Sequence, residues 1–342
     1  MIIALDAVGG DSGPAPNVDG AIQAVRELGC GVILVGPEER VRAEVSSRGA
    51  SLERGRLEIE DAPDLVSMDE DPARACRDKP RSSIMVAADL VSRGRAQAVV
   101  SAGHSGAAMV AALLRLRRLP GVLRPAIACP IPTLRGSSVL LDGGANVECK
   151  PWHFVQFAVM GVLYARHALR IPSPTVGILS NGEEESKGTD AVREAIPLLR
   201  ASGLDFRGPV EGRDVPAGTT DVVVCDGFAG NVCLKAMEGT ASAVFSLLKA
   251  ELAKRWTYKL GGLLIRRAGR DLKNRMSYEE YGGAPLLGVD GTMIICHGKS
   301  GARAIFNAHR VARDLVESGM NRRIREELEG MKASMETEKA EA

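Results

Sequence analysis

Short apolar runs alternate along the chain with longer segments whose apolar residues recur at helical spacing. The runs are Ile2–Leu5, Val32–Val35, Ala98–Val100, Ser138–Leu141, Thr175–Leu179, Asp221–Cys225 and Thr292–Cys296. They are rich in β-branched residues and nearly continuous in hydrophobicity, which is the pattern of strands covered on both faces. Each leads through glycines into a helical pattern. This βαβα alternation predicts an α/β fold, a doubly wound and mostly parallel sheet. The proline-rich connections at 119–132 and 171–174 break the pattern without marking a linker, so residues 1–330 are expected to form a single domain. Residues 331–342 (MKASMETEKAEA) carry too few apolar side chains for a core and read as a tail.

Composition narrows the partners. The chain has 342 residues, 45% hydrophobic and 25% charged, with a formal net charge of +1. That balance gives no global case for a nucleic-acid partner, so any electrostatic recognition must be local. The seven cysteines form no CxxC pair and no finger-like spacing with histidine, as expected of reduced thiols in a cytoplasmic protein. The opening MIIALDAVGGD lacks a basic leader region and meets an acid at Asp6, so it reads as a strand rather than a signal peptide. No uninterrupted apolar stretch reaches the ~18 residues of a membrane span.

One segment departs from the average. Residues 249–275 contain nine Lys/Arg against Glu251 and Asp271, a local net charge of +7. Leu252, Trp256, Tyr258, Leu260, Leu263, Leu264 and Ile265 are interleaved with them. The pattern predicts a basic amphipathic helical protrusion over 241–280, with the Gly261-Gly262 pair at the tip of a hairpin. Such a face suits either an anionic membrane surface or packing on the domain or a second subunit.

Six polar, glycine-rich clusters follow the predicted strands: Asp6–Asp11, Ser101–Ala107, Asp142–Lys150, Ser180–Gly188, Asp226–Asn231 and His297–Gly301. In open parallel sheets, ligands bind at the carboxyl ends of the strands. Glycines let the backbone approach an anion, and the following helix start offers unpaired N–H groups. The clusters are therefore expected to hold a phosphate group. Nucleotide signatures fail: a P-loop ending at Gly298-Lys299-Ser300 needs glycine at Met293, and the first loop has no GxGxxG.

Nucleophiles are equally thin. There is no GxSxG elbow, and the five histidines show no metal spacing, so neither a metal nor a cofactor is expected. Cys225 ends an apolar strand and reads as packing. His104 and His297 lie in loops and suit either an anion or a structural hydrogen bond. His153, His167 and His309 fall in helical patterns. Lys187 follows Glu183-Glu184-Glu185, where its ammonium could neutralise a phosphate or an oxyanion; the cluster also reads as solvated charges at a helix start. Asn231 could be a helix N-cap or an oxyanion donor.

Taken together, the strings IALDAVGGD (from Ile3), LDGGANVECKP (from Leu141), GEEESKG (from Gly182), VEGRDV (from Val210), DVVVCDGFAGNVCLKAMEG (from Asp221) and YGGAPLLGVDGTMIICHGKSGARAI (from Tyr281) resemble the bacterial phosphate acyltransferases of phospholipid synthesis, the PlsX family. They span nearly the whole chain. The resemblance implies a catalytic domain similar in fold to phosphotransacetylases and isocitrate dehydrogenase-like enzymes, assembled as a homodimer. It implies transfer of a long-chain acyl group from acyl carrier protein to inorganic phosphate. The acyl phosphate then serves a membrane glycerol-3-phosphate acyltransferase. Under that resemblance Lys187 and Asn231 take the transition-state roles, with phosphate itself as nucleophile. Asp6, Gly9, Gly10, Asp11, Ser101, Asn146, Asp226, His297 and Gly298 line the phosphate and acyl pocket. The basic protrusion acquires a choice between anionic lipid and the acidic carrier protein, and Leu263, Leu264, Ile265, Arg266 and Arg267 at its expected tip favour a peripheral membrane contact.

Five positions depart from the family's usual pattern. Val8 stands where Met is common, His104-Ser105 replaces Asn-Thr, Gly143 replaces a larger apolar residue, and Lys299 replaces a small polar one.

Overall fold

The structure is a computed structural model that describes residues 1–276 and 278–341. All seven expected strands form, and five further strands join them. The first sheet is built from β1 (Ile2–Asp6), β2 (Gly31–Gly36), β3 (Leu57–Asp61), β4 (Ala98–Ser101), β5 (Ala126–Ile127), β11 (Ala284–Leu287) and β12 (Thr292–Ile295), in the order β3-β2-β1-β4-β12-β11-β5. The second contains β6 (Cys129–Thr133), β7 (Gly136–Leu141), β8 (Val176–Leu179), β9 (Phe206–Val210) and β10 (Val222–Val224), in the order β6-β7-β10-β8-β9. Among the described residues, only the strand pairs β11–β12, β11–β5 and β6–β7 are antiparallel. The mixed α/β class and the parallel pairing thus hold, while the strands divide between two sheets.

Strand periodicity explains the continuous apolar runs. In β1, Ile3 and Leu5 enter one core cluster and Ala4 the other. In β2, Val32 and Leu34 separate from Ile33 and Val35 in the same way. Successive side chains point to opposite faces, so a strand covered on both sides must be apolar throughout. The Pro14–Glu27 and Ala302–Glu317 helices cover one face, and the Ser83–Ser92 helix the other. The Pro151–His167 helix is apolar nearly all round. Its Phe154, Phe157, Met160 and Tyr164 are buried in the cluster that also holds residues of both sheets, as expected of a helix with no solvent face.

His153 and His309 belong to this scaffold. The His153 ring accepts from Lys150 N–H at 3.1 Å at the start of its helix. His309 is fully buried, and burial pushes its imidazole down to about 4, so it sits neutral in the core.

The basic segment is helical but differs from its expected shape. A 27-residue helix runs Gly227–Ala253, followed by Trp256–Leu264 and Arg266–Arg275. The chain turns at Lys254-Arg255 and again at Ile265. The Gly261-Gly262 pair lies inside the middle helix, with Leu252 of the long helix close to Gly262. Of the long helix, only Gly227 and Gly230 are buried, and of the middle helix, nothing. No helix among the described residues is long and apolar enough to cross a membrane. The last helix runs Met320–Glu341, so the backbone expected as a tail from 331 is its continuation; Ala342 lies outside the described residues.

Candidate active site

The loops at the ends of β1, β4 and β12 form one network. Asp6 is buried, and its carboxylate accepts from Gly9 N–H at 3.1 Å and Ser101 Oγ–H at 2.8 Å. Burial raises its pKa, opposed by hydrogen bonds from Ser83, Ser101 and the Gly9 and Val8 backbone. A Cβ on Gly9 would lie 2.6 Å from Asp6 Oδ2 and 2.8 Å from Gly103 N, so only glycine fits. Gly10 has φ of 100°, which glycine tolerates without strain. Asp11 N–H then donates to Gly298 O at 2.7 Å. Gly9, Gly10, Asp11 and Gly298 are therefore brought together, with Asp6 and Ser101 beneath them as a polar footing.

His104 caps the Ser105–Ala111 helix, its Nδ1 accepting from Gly106 N–H at 3.0 Å and Ala107 N–H at 3.4 Å. The imidazole thus accepts at this atom rather than donating to an anion, a task that the family's asparagine performs equally well at a helix start.

The second sheet supplies a second network centred on Asp142. Its Oδ1 accepts from Ile127, Gly144 and Ala145 N–H at 3.0, 3.1 and 3.0 Å. Its Oδ2 accepts from Asn146 N–H at 2.7 Å and Asn146 Nδ2 at 2.9 Å. Ile127 lies in β5, so this carboxylate ties the two sheets together. Asn146 also donates to Pro125 O at 2.7 Å and accepts from Gly227 N–H at 2.7 Å. Asp226, not Asn231, is the N-cap of the Gly227–Ala253 helix, accepting from Ala229 N–H at 2.7 Å. Asn146 and Asp226 are thus occupied in holding the loops.

Between the networks lies a cleft of about 370 Å³. Ser105, Cys296 and His297 line it from the first sheet, and Gly143, Gly144, Asn231 and Lys235 from the second. Of the residues expected at the site, Asn231 and His297 line this cleft. His297 Nδ1 also accepts from Lys299 N–H at 3.1 Å, within the loop that carries one of the family departures. The Gly143 departure has a local cause: a Cβ there would stand 2.3 Å from Cys129 Sγ, which fills the space instead.

Lys187 is placed elsewhere. It is exposed on the loop after β8, outside the cleft lining. The acids before it do not cap a helix: Glu183 pairs with Arg213 at 3.0 Å and Glu185 with Arg200, while Thr189 caps the next helix. Among the described residues, no group of three His, Cys, Asp or Glu side chains is placed to hold a metal. Lys235 was not singled out in the sequence, although it follows Asn231 by four residues and so shares its helix face. Tyr281 was also passed over. Its hydroxyl is 3.2 Å from Ser137 Oγ, and its side chain lines the cleft.

Thiol chemistry is disfavoured in the cleft. Burial raises the Cys129 thiol, and it pushes Cys296 up to about 12. Cys225 is buried and its thiol raised well above the ordinary value, with Sγ donating to Asp142 O at 3.4 Å. Neutral thiols are poor nucleophiles. The arrangement can position and neutralise an anion with amide, ammonium and imidazole groups, but it presents no activated cysteine.

Comparison with known proteins shows the family. A family model described as "Fatty acid synthesis protein" matches residues 1–323. The chain is 54% identical over 319 residues to a phosphate acyltransferase of Elusimicrobium minutum, covering 93% of each protein. It is 50% identical over 331 residues to a phosphate acyltransferase of Pelotomaculum thermopropionicum, covering 97% of this chain and 96% of the relative. In fold it is similar to a phosphotransacetylase from Streptococcus pyogenes, with a TM-score of 0.62 over 93% of this chain and 94% of that one, at 18% identity. The two networks and the cleft between them therefore belong to an acyltransferase, a member of the phosphate acyltransferase (PlsX) family of fatty acid synthesis proteins.

Proposed function

We propose that the chain transfers a long-chain acyl group from acyl carrier protein to inorganic phosphate by direct attack. One observation carries this reading: an amide, an ammonium and an imidazole, from Asn231, Lys235 and His297, line the same cleft. A phosphate oxygen attacks the thioester carbonyl carbon, forming the new C–O bond. The tetrahedral oxyanion collapses, the C–S bond breaks, and the carrier leaves as a thiolate that takes up a proton from water. No acyl-enzyme is needed. Asn231 is suited to donate to the oxyanion, and Lys235 and His297 to hold the phosphate, since fixed donors act most strongly where charge develops. The names of the relatives support acyl transfer to phosphate, and the donor set supports phosphate as the nucleophile.

The test is release of free carrier protein from long-chain acyl carrier protein, with and without phosphate, beside the same acyl group on coenzyme A. Phosphate-dependent release from the carrier substrate is expected. Release from the coenzyme A substrate alone would assign a phosphotransacetylase-like reaction, and no release from either would leave a binding role only.

The basic helices are assigned to an anionic membrane surface. Leu263, Leu264 and Ile265 are 62%, 80% and 53% exposed where the Trp256–Leu264 helix gives way to Arg266 and Arg267. Basic residues near an anionic surface contribute about 1 kcal/mol each. Reversing both charges, Arg266→Glu and Arg267→Glu, is expected to reduce pelleting with anionic vesicles at least tenfold while soluble activity stays near wild type. Unchanged pelleting would refute the membrane assignment, and a lost carrier-dependent rate would move the surface to the carrier protein.

A further inference from the structure

A second, apolar chamber of about 480 Å³ opens beside the catalytic cleft. The two share Pro130, Leu234, Glu238 and Tyr281, so they adjoin across these side chains. Two elements define the chamber's direction. Along β6, Cys129 lines only the cleft, Pro130 lines both, and Leu134 just beyond the strand lines only the chamber. Along the Gly227–Ala253 helix, Asn231 lines the cleft, Leu234 and Glu238 line both, and Met237 and Ala241 line only the chamber. Four residues of strand span roughly 13 Å, and ten residues of helix span about 15 Å. The strand from Pro130 and the helix from Asn231 therefore give similar lengths, leading away from the cleft.

The lining suits hydrocarbon. It is dominated by Pro, Ile, Leu, Met and Ala side chains, and Leu272 and Met276 of the basic helical segment contribute to it. Of its two charged residues, Arg213 is tied to Glu183 and Glu211 at 3.0 and 2.8 Å, and Glu238 stands where the chamber meets the cleft.

We infer that this chamber binds the acyl chain of the thioester, with Ala241 at the depth that limits chain length. The inference rests on the acyl-transfer reading above and extends it from the reacting carbonyl to the far end of the substrate. At roughly 1.2 Å per bond of an extended chain, the ~13–15 Å run accommodates on the order of ten to twelve carbons. Longer chains must fold or emerge past Leu272 and Met276.

The experiment compares wild type with Ala241→Phe on carrier thioesters of short, medium and long saturated chains. Wild-type kcat/KM is expected to rise about tenfold for each two carbons added, until the chamber is filled. Ala241→Phe should retain the short-chain rate, which also reports that it folds, and lose at least tenfold on the long chain. Gly239→Phe is the control, because a Cβ there would meet nothing within 4 Å and Gly239 lines neither cavity; it should leave the profile unchanged. An equal loss on every chain length, or none, would overturn the assignment. Binding of a fluorescent long-chain fatty acid supplies the second measurement. If wild type transfers no acyl group, the acyl-transfer reading fails, while binding that Ala241→Phe weakens would still support the chamber. Equal binding by wild type and Ala241→Phe would reject it.

Discussion

Replacing Asp142 by asparagine is expected to destabilise the protein by on the order of 3–5 kcal/mol and to abolish measurable transfer. The residue is fully buried and its two oxygens accept five hydrogen bonds from Ile127, Gly144, Ala145 and Asn146. Asparagine keeps the shape but turns one oxygen into an NH₂ group that faces other donors. If the amide nitrogen takes the Oδ2 place, it opposes both donors of Asn146; in the Oδ1 place it opposes three backbone N–H groups. Either way, buried donors lose their acceptor, at about 1–3 kcal/mol apiece. The loss also reaches the chemistry, because the same oxygens hold Gly144 on one wall of the cleft and anchor β5 of the facing sheet. Urea unfolding of purified wild type and Asp142→Asn would measure the effect. A difference below about 1 kcal/mol would mean that the loop holds its shape without the carboxylate.

How far the sequence disclosed this architecture follows from where each element sits. The strands it revealed are central or flanked on both sides: β1, β2, β4, β7, β8, β10 and β12. Those it concealed include all four sheet edges, β3, β5, β6 and β9. Edge strands tolerate charges and proline because one backbone edge needs no partner. Hence β3 reads LEIED, β6 reads CPIPT and β9 reads FRGPV, none of which has the apolar continuity of a covered strand. The missing β5 and β6 also hid the division into two sheets, since the chain crosses from one to the other at Ala128.

The site was legible in part for a related reason. Glycine-rich loops announce strand ends, so the positions of Gly9, Gly10, Asp142 and Asn231 followed from pattern. Which polar side chains remain at the cleft did not, because that depends on hydrogen bonds made within each loop. Asp6, Asn146 and Asp226 look in sequence like anion-site residues, yet each is engaged with neighbouring backbone. Lys235 and Tyr281 look ordinary, yet the cleft closes around them. The basic helices carried a clear charge signal, whereas their turns did not follow from the Gly261-Gly262 pair, which lies within the Trp256–Leu264 helix.

Asn231→Ala should lower kcat by 10²–10³, about 2.7–4 kcal/mol of transition-state stabilisation, the usual cost of losing one oxyanion donor. The substitution is expected to leave stability nearly unchanged. Asn231 is exposed, alanine favours helix, and the cap belongs to Asp226. KM for the acyl carrier substrate should change little, since the contact is made chiefly with charge that develops during attack. Two lysines give the comparison its resolving power. Lys235 lines the cleft one helical turn beyond Asn231, whereas Lys187, on the loop after β8, lies outside that lining. Lys235→Ala is therefore expected to raise KM for phosphate and to lose more activity than Lys187→Ala. Steady-state rates over a phosphate series would separate these effects. A near-wild-type kcat for Asn231→Ala would remove its oxyanion role. A loss at Lys187→Ala equal to that at Asn231→Ala would bring the Ser180–Gly188 loop into the reacting complex, where its ammonium would take the charge assigned here to Lys235.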